Sequence, residues 1–313
     1  MNILIIGGNG FIGTNLIKEL LHQSTFILIY LRKNSKNENF EFTNHKNVEI
    51  VYGKFDDVDF IAELIKLKKI NFFIHLASSL LPSSKIEDYR LEEESIIKPT
   101  MELLPILAKY KVKIIYFSSG GTIYGKSKSG KFGENDKLNP ISYYGLSKLL
   151  MEEIIQFENR RSGLEFLILR PSNPFGPGQK SNKNQGIINV IIEKGLTGSE
   201  LEIWGNGDAV RDYIHISDLV NAVIKLMRMN IKNEIFNISS NYGMSVIELV
   251  KIIELFINKK IKIKYLDYRK NDLSKVVLNN NKLIKHIGTY TQNQLTEKIK
   301  GFIDYKSENL FYE

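Results

Sequence analysis

Tyr144 and Lys148 stand four residues apart in Tyr144-Gly145-Leu146-Ser147-Lys148, inside a segment with helical period. On a helix that spacing puts both on one face, with Cβ atoms about 5–6 Å apart. A tyrosine with the ordinary pKa near 10 is a poor base at neutral pH. A neighbouring ammonium favours the phenolate, which would let Tyr144 accept and return a proton. Upstream lies the hydroxyl-rich stretch Ser118-Ser119-Gly120-Gly121-Thr122. A second constellation, Gly7-Gly8-Asn9-Gly10-Phe11-Ile12-Gly13, follows an apolar run and opens a helical pattern. Its glycines at 7, 10 and 13 suit a tight turn, a close backbone approach to a pyrophosphate, and a helix pressed on a sheet. The helix N-terminus would offer N–H groups to the phosphates. A dinucleotide site is therefore expected at this turn.

The next strand ends Tyr30-Leu31-Arg32-Lys33 without a carboxylate. A carboxylate there would read the ribose 2′-hydroxyl of NAD, whereas Arg32 and Lys33 would accept a 2′-phosphate, so NAD and NADP both remain open. With no Cys, thiol nucleophiles and Cys-ligated metals are excluded. The histidines, His75 and His215 among them, have no metal-ligand spacing, and Asp56, Asp57 and Asp59 lack the rest of a calcium loop, so no metal is expected. Lys and Arg exceed Asp and Glu by 43 to 35, but the cations are scattered, which argues against bulk nucleic-acid binding. The apolar runs are far short of the ~20 residues of a bilayer span, and the first strand follows Met1 directly, so a cytoplasmic protein with no membrane partner is expected.

These groups need a frame. Apolar segments Ile3–Ile6, Phe26–Tyr30, Val48–Val51, Phe72–His75, Ile114–Phe117 and Phe166–Leu169 read as strands. Between them Thr14–Leu21, Phe60–Leu67, Glu92–Lys109 and Ser142–Arg161 read as helices, a βαβ alternation that predicts a parallel sheet covered on both faces. The rhythm breaks at Pro171, Pro174 and Pro177. Beyond it come helix Ile187–Lys194, strand Leu201–Trp204, a loop over Asp208–His215, helix Asp218–Met229 and strand Ile235–Ile238. The fold expected is α/β, a Rossmann-type doubly wound parallel sheet with a smaller α/β substrate-binding domain. The first domain would hold 1–175 plus about 209–240, the second about 176–208 plus 241–313.

Seven motifs in order carry a resemblance: GGNGFIG (7–13), IHLA (74–77), FSSGGTIYG (117–125), YYGLSK (143–148), LRPSNPFGPG (169–178), VRDYIHISDL (210–219) and RKNDL (269–273). On these the chain resembles extended short-chain dehydrogenase/reductases of the NAD-dependent sugar epimerase/dehydratase family, on the side of the UDP-glucose 4-epimerases. The resemblance implies a nucleotide-sugar 4-epimerase acting on a UDP-hexose or UDP-N-acetylhexosamine through a transient 4-keto sugar. NAD would stay tightly bound, and the nucleotide sugar would sit in the cleft between the domains. Tyr144 would take the 4-hydroxyl proton, and Lys148 would hold the nicotinamide ribose and depress the Tyr144 pKa. Phe11, Ile12, Arg32, Phe55, Leu76, Ala77, Ser78 and Ser172 would line the cofactor, Phe55 flanking the adenine. Asn173, Trp204, Arg211, Arg269, Asp272 and Val276 would meet the nucleotide sugar, the two arginines on its diphosphate. A homodimer is implied, through helices Glu92–Lys109 and Ser142–Arg161.

Departures from the family pattern narrow this. Gly120 replaces the usual Ser or Thr against the sugar oxygen, so Ser119 or Thr122 must take over; the GGT form of the loop favours Thr122. Gly121 and Thr122 stand where the dehydratases carry an Asp–Glu pair, and neither can act as acid or base, which excludes dehydration. Lys54 replaces the acidic residue ahead of the adenine pocket. Val276, where an aromatic would restrict the pocket, leaves room for a 2-acetamido group. The nearest alternative activity is an NADPH-dependent nucleotide-sugar 4-ketoreductase; a non-catalytic dinucleotide-binding regulator is the other.

Overall fold

A computed structural model describes residues 1–23, 25–32, 41–180, 186–268, 273–291 and 294–309. In chain order the first elements are β1 (Asn2–Ile6), α1 (Phe11–Leu21), β2 (Phe26–Arg32), β3 (Val48–Gly53), α2 (Val58–Leu67) and β4 (Phe72–His75). Next come α3 (Ile86–Glu92), a π-turn (Glu93–Ile97), α4 (Lys98–Lys109), β5 (Lys113–Phe117), β6 (Lys131–Phe132), α5 (Tyr143–Ser162), β7 (Phe166–Pro171) and β8 (Asn173–Phe175). Then follow α6 (Ile187–Thr197), β9 (Leu201–Trp204), β10 (Val210–His215), α7 (Ile216–Arg228) and β11 (Glu234–Ile238). The chain closes with β12 (Gly243–Ser245), α8 (Val246–Ile257), β13 (Ile263–Leu266), β14 (Lys275–Leu278), α9 (Asn281–Ile287) and α10 (Leu295–Asn309).

The chain divides into two compact units. The first holds 1–123, 140–170 and 224–236 around a seven-stranded sheet in the order β3-β2-β1-β4-β5-β7-β11. From β3 to β7 every neighbouring pair is parallel, and the order 3-2-1-4-5 is that of a doubly wound dinucleotide-binding sheet. Its strands are apolar throughout because helices cover both faces: Ile3, Leu4 and Ile5, like Ile27, Leu28 and Ile29, are fully buried.

The second unit holds 124–139, 171–223 and 237–313. Its strands run β12-β10-β14-β6 with β8 also on β10, and β9 pairs with β13. Helices α6, α8 and α10 bury Ile188, Ile191, Leu249, Ile253, Ile299 and Phe302 in its core. These bounds differ from the expected ones at 124–139, 171–175, 209–223 and 237–240. β6 pairs with β14, and β10 pairs with β8, β12 and β14, so the segments that carry β6, β8 and β10 are hydrogen-bonded into the second unit.

Asp208–His215, expected as a loop, contains β10 instead. The strand hides a charge: Asp212 is buried, and its carboxylate accepts from Ser240 N and Oγ at 3.0 Å and Leu278 N at 3.3 Å. Burial pushes that carboxyl up to about 6, against those hydrogen bonds. The single helix expected over Glu92–Lys109 is interrupted by the π-turn. Among the described residues no helix is long and apolar enough to cross a membrane.

Candidate active site

The glycine turn is built as its spacing predicts. Gly7 has φ +76°, and a Cβ on it would lie 2.9 Å from Ala77 N, so the turn is pressed against the loop that follows β4. Gly10 caps α1 without a side chain, donates to Gly7 O at 3.1 Å and is exposed. The first turn of α1 carries neither a side-chain cap nor an acidic residue. Its N–H groups therefore face an open, uncapped end, the arrangement that suits a pyrophosphate. Gly13 is needed for another contact than the expected one, since a Cβ there would meet Gly8 O at 2.6 Å. The glycine against the sheet is Gly8, whose added Cβ would lie 2.9 Å from Ile29 and 3.2 Å from Ile17.

Other residues expected at the cofactor divide. Phe11, Ile12, Leu76, Ala77 and Ser78 keep part of their surface exposed, and Leu76 N donates to Ile6 O at 3.1 Å. Arg32 ends β2 exposed, and Lys33 lies outside the described residues. Phe55 is buried at 8% exposure in the first unit's core, its ring 5.9 Å from that of His75. The acidic stretch is used locally: Asp57 caps α2, accepting from Phe60 N at 3.3 Å.

The Tyr144–Lys148 pair sits on the first turns of α5, started by Ser142 accepting from Gly145 N at 3.1 Å. Gly145 had given no functional signal, yet a Cβ on it would meet Thr122 O at 2.8 Å. The missing side chain lets α5 seat directly on the Ser-Gly-Gly-Thr loop. Thr122 Oγ1 donates to Ser119 Oγ at 3.0 Å, and Ser119 is the side chain that opposes the rise of the Tyr144 pKa. So Ser119 is the hydroxyl that acts on the tyrosine and Thr122 holds Ser119, with Gly120 contributing no side chain. Lys148 is buried, donates from Nζ to Phe117 O at 2.9 Å, and lies 5.6 Å from the Tyr144 ring centroid and 5.0 Å from that of Tyr116.

The electrostatics correct one expectation. Burial raises the Tyr144 pKa, the Ser119 hydrogen bond opposes this, and the charge of Glu92 adds to it. Lys148 does not reverse the balance. Burial pushes its own ammonium down to about 8, against Glu92 and Glu152, and one of its three N–H donors goes to the Phe117 carbonyl. Glu152, one turn beyond Lys148, is fully buried in a fork with Arg170 of β7, at 2.9 Å from Nε and 2.6 Å from the terminal nitrogen. That pair ties α5 to the sheet and fixes the register of the Tyr144–Lys148 face.

In the second unit, Asn173 of β8 donates from Nδ2 to Asp212 O at 2.7 Å. Arg211 of β10 is half-buried, donates to Val210 O at 3.0 Å, and is the register partner of Val276, which is buried on β14. Trp204 projects from the exposed side of β9 at 45% exposure. Ser172 is buried, its N–H donating to Ile238 O at 2.9 Å. Arg269 and Asp272 lie outside the described residues. His75 pairs with Thr100 at 3.0 Å and His215 with Ser217 at 2.8 Å. Among the described residues no cluster of three His, Asp or Glu could hold a metal.

A parallel sheet in this order, with a glycine turn on α1 and a Tyr–Lys pair on α5, defines a Rossmann-type enzyme of the short-chain dehydrogenase kind. The model of the NAD dependent epimerase/dehydratase family matches residues 3–239, and the chain belongs to that family. It is 32% identical over 308 residues to a putative UDP-glucose 4-epimerase of Methanocaldococcus jannaschii, spanning 98% of this chain and 99% of that protein. It is 30% identical to a dTDP-4-dehydro-6-deoxyglucose reductase of Escherichia coli over 91% of each. Among solved structures, UDP-glucose 4-epimerase of Thermotoga maritima with UDP-glucose superposes with a TM-score of 0.91 at 28% identity, covering 99% of this chain and all of that one.

Proposed function

We propose that this protein is a nucleotide-sugar 4-epimerase that works on a UDP-hexose or UDP-N-acetylhexosamine. The observation that carries the reading is Tyr144 with Lys148 one helical turn on, Lys148 Nζ 5.6 Å from the Tyr144 ring centroid, and the hydrogen-bonded Thr122–Ser119 pair acting on that phenol. That site holds one proton-transfer group and, at Gly121 and Thr122, nothing able to eliminate water. The epimerase names of the Methanocaldococcus and Thermotoga proteins support it.

The open glycine turn and the uncapped α1 fit a dinucleotide pyrophosphate, with Leu76, Ala77 and Ser78 along its wall. When bound, NAD would supply a hydride acceptor for carbon 4 and, oxidised, a positive charge near the phenol. Tyr144 Oη would take the proton of the sugar 4-hydroxyl and return it after the 4-keto sugar has turned its other face. Ser119 would donate to Oη and stabilise the phenolate that this transfer creates. Lys148, fixed by the Phe117 carbonyl, would hold the nicotinamide ribose. Asn173 and Arg211, with Arg269 and Asp272, would bind the nucleotide diphosphate, Trp204 the base, and Val276 would leave space at carbon 2.

A homodimer belongs to the same reading. Leu91 on α3, Met101 on α4 and Phe157 on α5 are 67%, 53% and 53% exposed, and the groove between α4 and α5 is lined by Met101, Leu104, Pro105, Ile154 and Phe157 together with the charged Glu153, Glu158, Arg160 and Arg161. A second copy would cover the exposed apolar side chains.

The test is incubation with UDP- and dTDP-sugars, with carbon-4 configuration read by NMR. The epimerase interconverts the two configurations with no added cofactor and no net change in absorbance at the reduced-nicotinamide band. The second reading is an NADPH-dependent 4-ketoreductase, favoured by Arg32 at the end of β2 and by the Escherichia coli relative. It requires stoichiometric loss of NADPH absorbance, which would overturn the first.

A further inference from the structure

Glu92 ends α3 with its side chain 2% exposed, followed by two glutamates that remain nearer the surface. Its Oε1 accepts from Ser78 Oγ at 2.8 Å, and its Oε2 accepts from Ser79 N at 2.6 Å and Ser79 Oγ at 2.7 Å. A buried carboxylate costs several kcal/mol unless donors surround it, and here a single two-residue stretch after β4 supplies three. That stretch continues Leu76 and Ala77, against which the glycine turn is pressed.

The π-turn explains how the helix reaches this loop. Eight residues separate Glu92 from Thr100, whose Oγ1 pairs with His75 Nε2 at 3.0 Å at the end of β4. In an uninterrupted α-helix eight residues rotate a side chain to roughly 80° from its starting direction. A π-turn absorbs one extra residue, so the pair behaves as if seven apart, within roughly 20° of one face. Both side chains then meet the end of β4 and its loop.

We infer that Glu92 is a positioning residue: it holds the loop Leu76–Ser79 along the dinucleotide site and brings its carboxyl group towards Tyr144 and Lys148, on the helix whose Tyr89 ring centroid lies 5.7 Å from that of Tyr143. The second half rests on the proposed function, the first only on dinucleotide binding. Around Tyr144 the polar and titratable neighbours are Glu92 from α3, Ser119 from the loop after β5, Tyr116 from β5 and Lys148 from α5. The charge of Lys148 acts in turn on His75 of β4, and Glu152 on α5 is already paired with Arg170. At Tyr144 the charge of Glu92 works with burial against the phenolate, and at Lys148 it works against burial in favour of the ammonium.

The experiment compares Glu92→Gln, Glu92→Ala and Ser79→Ala with the wild type by calorimetric titration of NAD and by the pH profile of kcat/KM. Glu92→Ala frees the loop, and NAD affinity falls roughly tenfold. Ser79→Ala, which removes one of the three donors and leaves α3 intact, moves it the same way by about threefold and stands in if Glu92→Ala does not fold. Glu92→Gln keeps the shape, leaves NAD affinity within about twofold, and shifts the acid limb of the profile to lower pH. Wild-type NAD affinity in both alanine variants would overturn the positioning of the loop, and an unmoved acid limb in Glu92→Gln would overturn the electrostatic half. The NAD titration needs no sugar, so it decides the loop even if no UDP-sugar turns over and the epimerase reading itself fails.

Discussion

Thr122 Oγ1 donates to Ser119 Oγ across 3.0 Å, so the hydroxyl that opposes the rise of the Tyr144 pKa is itself held by a second one. The order of these two residues decides what each substitution does. Ser119→Ala removes the donor that favours the phenolate, and kcat is expected to fall roughly tenfold or more, the effect of about 1.4 kcal/mol. Thr122→Val keeps the bulk and removes only the support, with an expected loss of about threefold. Steady-state kinetics on the two variants check the ranking. A larger loss at Thr122 than at Ser119 would mean that Thr122 contacts the sugar directly.

Tyr144→Phe separates chemistry from binding. In the proposed mechanism the phenol transfers the proton, and such transfer is worth about 10²–10⁴ in rate. Turnover should fall by that factor while the purified variant keeps its nicotinamide absorbance and its affinity for the UDP-sugar by calorimetry. Because burial raises the Tyr144 pKa, wild-type kcat/KM should still be climbing above neutral pH. A profile flat from pH 6 to 9 would place the proton elsewhere.

The glycine turn and the Tyr–Lys face were legible from spacing alone, because each motif states its own local geometry. Phe72–His75 and Leu201–Trp204 were legible to the residue, since apolar runs bounded by turns mark strands sharply. β10 was missed for an identifiable reason: Arg211-Asp212 looks like loop chemistry, and nothing in the sequence says that Ser240 and Leu278 will satisfy that carboxylate. The π-turn was invisible because one extra residue in a helix leaves its apolar period nearly unchanged. Glu92 was lost among Glu93 and Glu94 for the same reason, since one residue of phase decides which of three glutamates is buried. The direction of the Tyr144 shift needed the burial, which spacing cannot supply.

Gly13→Ala tests the turn without touching the sugar. Its added methyl would lie 2.6 Å from Gly8 O, backbone that can yield only by moving α1 off the turn. Destabilisation of about 2 kcal/mol or more and loss of bound nicotinamide are expected, read from urea denaturation and the absorbance of the purified protein. Normal cofactor content in a normally stable Gly13→Ala would refute the close approach.

Oligomeric state is tested at Met101 and Phe157, which line the groove between α4 and α5 and are each 53% exposed. The double variant Met101→Glu/Phe157→Glu adds two charges to that surface and replaces no buried side chain. Sedimentation velocity is expected to give a dimer for the wild type and a monomer for the variant. A wild-type monomer, or a variant that still dimerises, would put the interface elsewhere or remove it.

His75 gives a pH dependence whose sign follows from its surroundings. Thr100 Oγ1 donates to Ile96 O at 2.6 Å, so towards His75 it is the acceptor and Nε2 carries the hydrogen. Burial, with the charge of Lys148, pushes the imidazole down to about 3 from its ordinary 6.5. The folded protein therefore keeps His75 neutral where the unfolded chain takes up a proton, and the stability this residue contributes is present above pH 6.5 and lost as pH falls towards 3. Each unit below 6.5 costs up to about 1.4 kcal/mol, or on the order of 2 kcal/mol by pH 5. Asp212, raised to about 6, has the opposite dependence between about 4 and 6, so the readout is the difference between wild type and His75→Gln, whose amide can still donate to Thr100. Urea midpoints at pH 7.5 and pH 5 should show the variant losing less stability than the wild type by that amount. Equal losses would mean that His75 is protonated in the folded state.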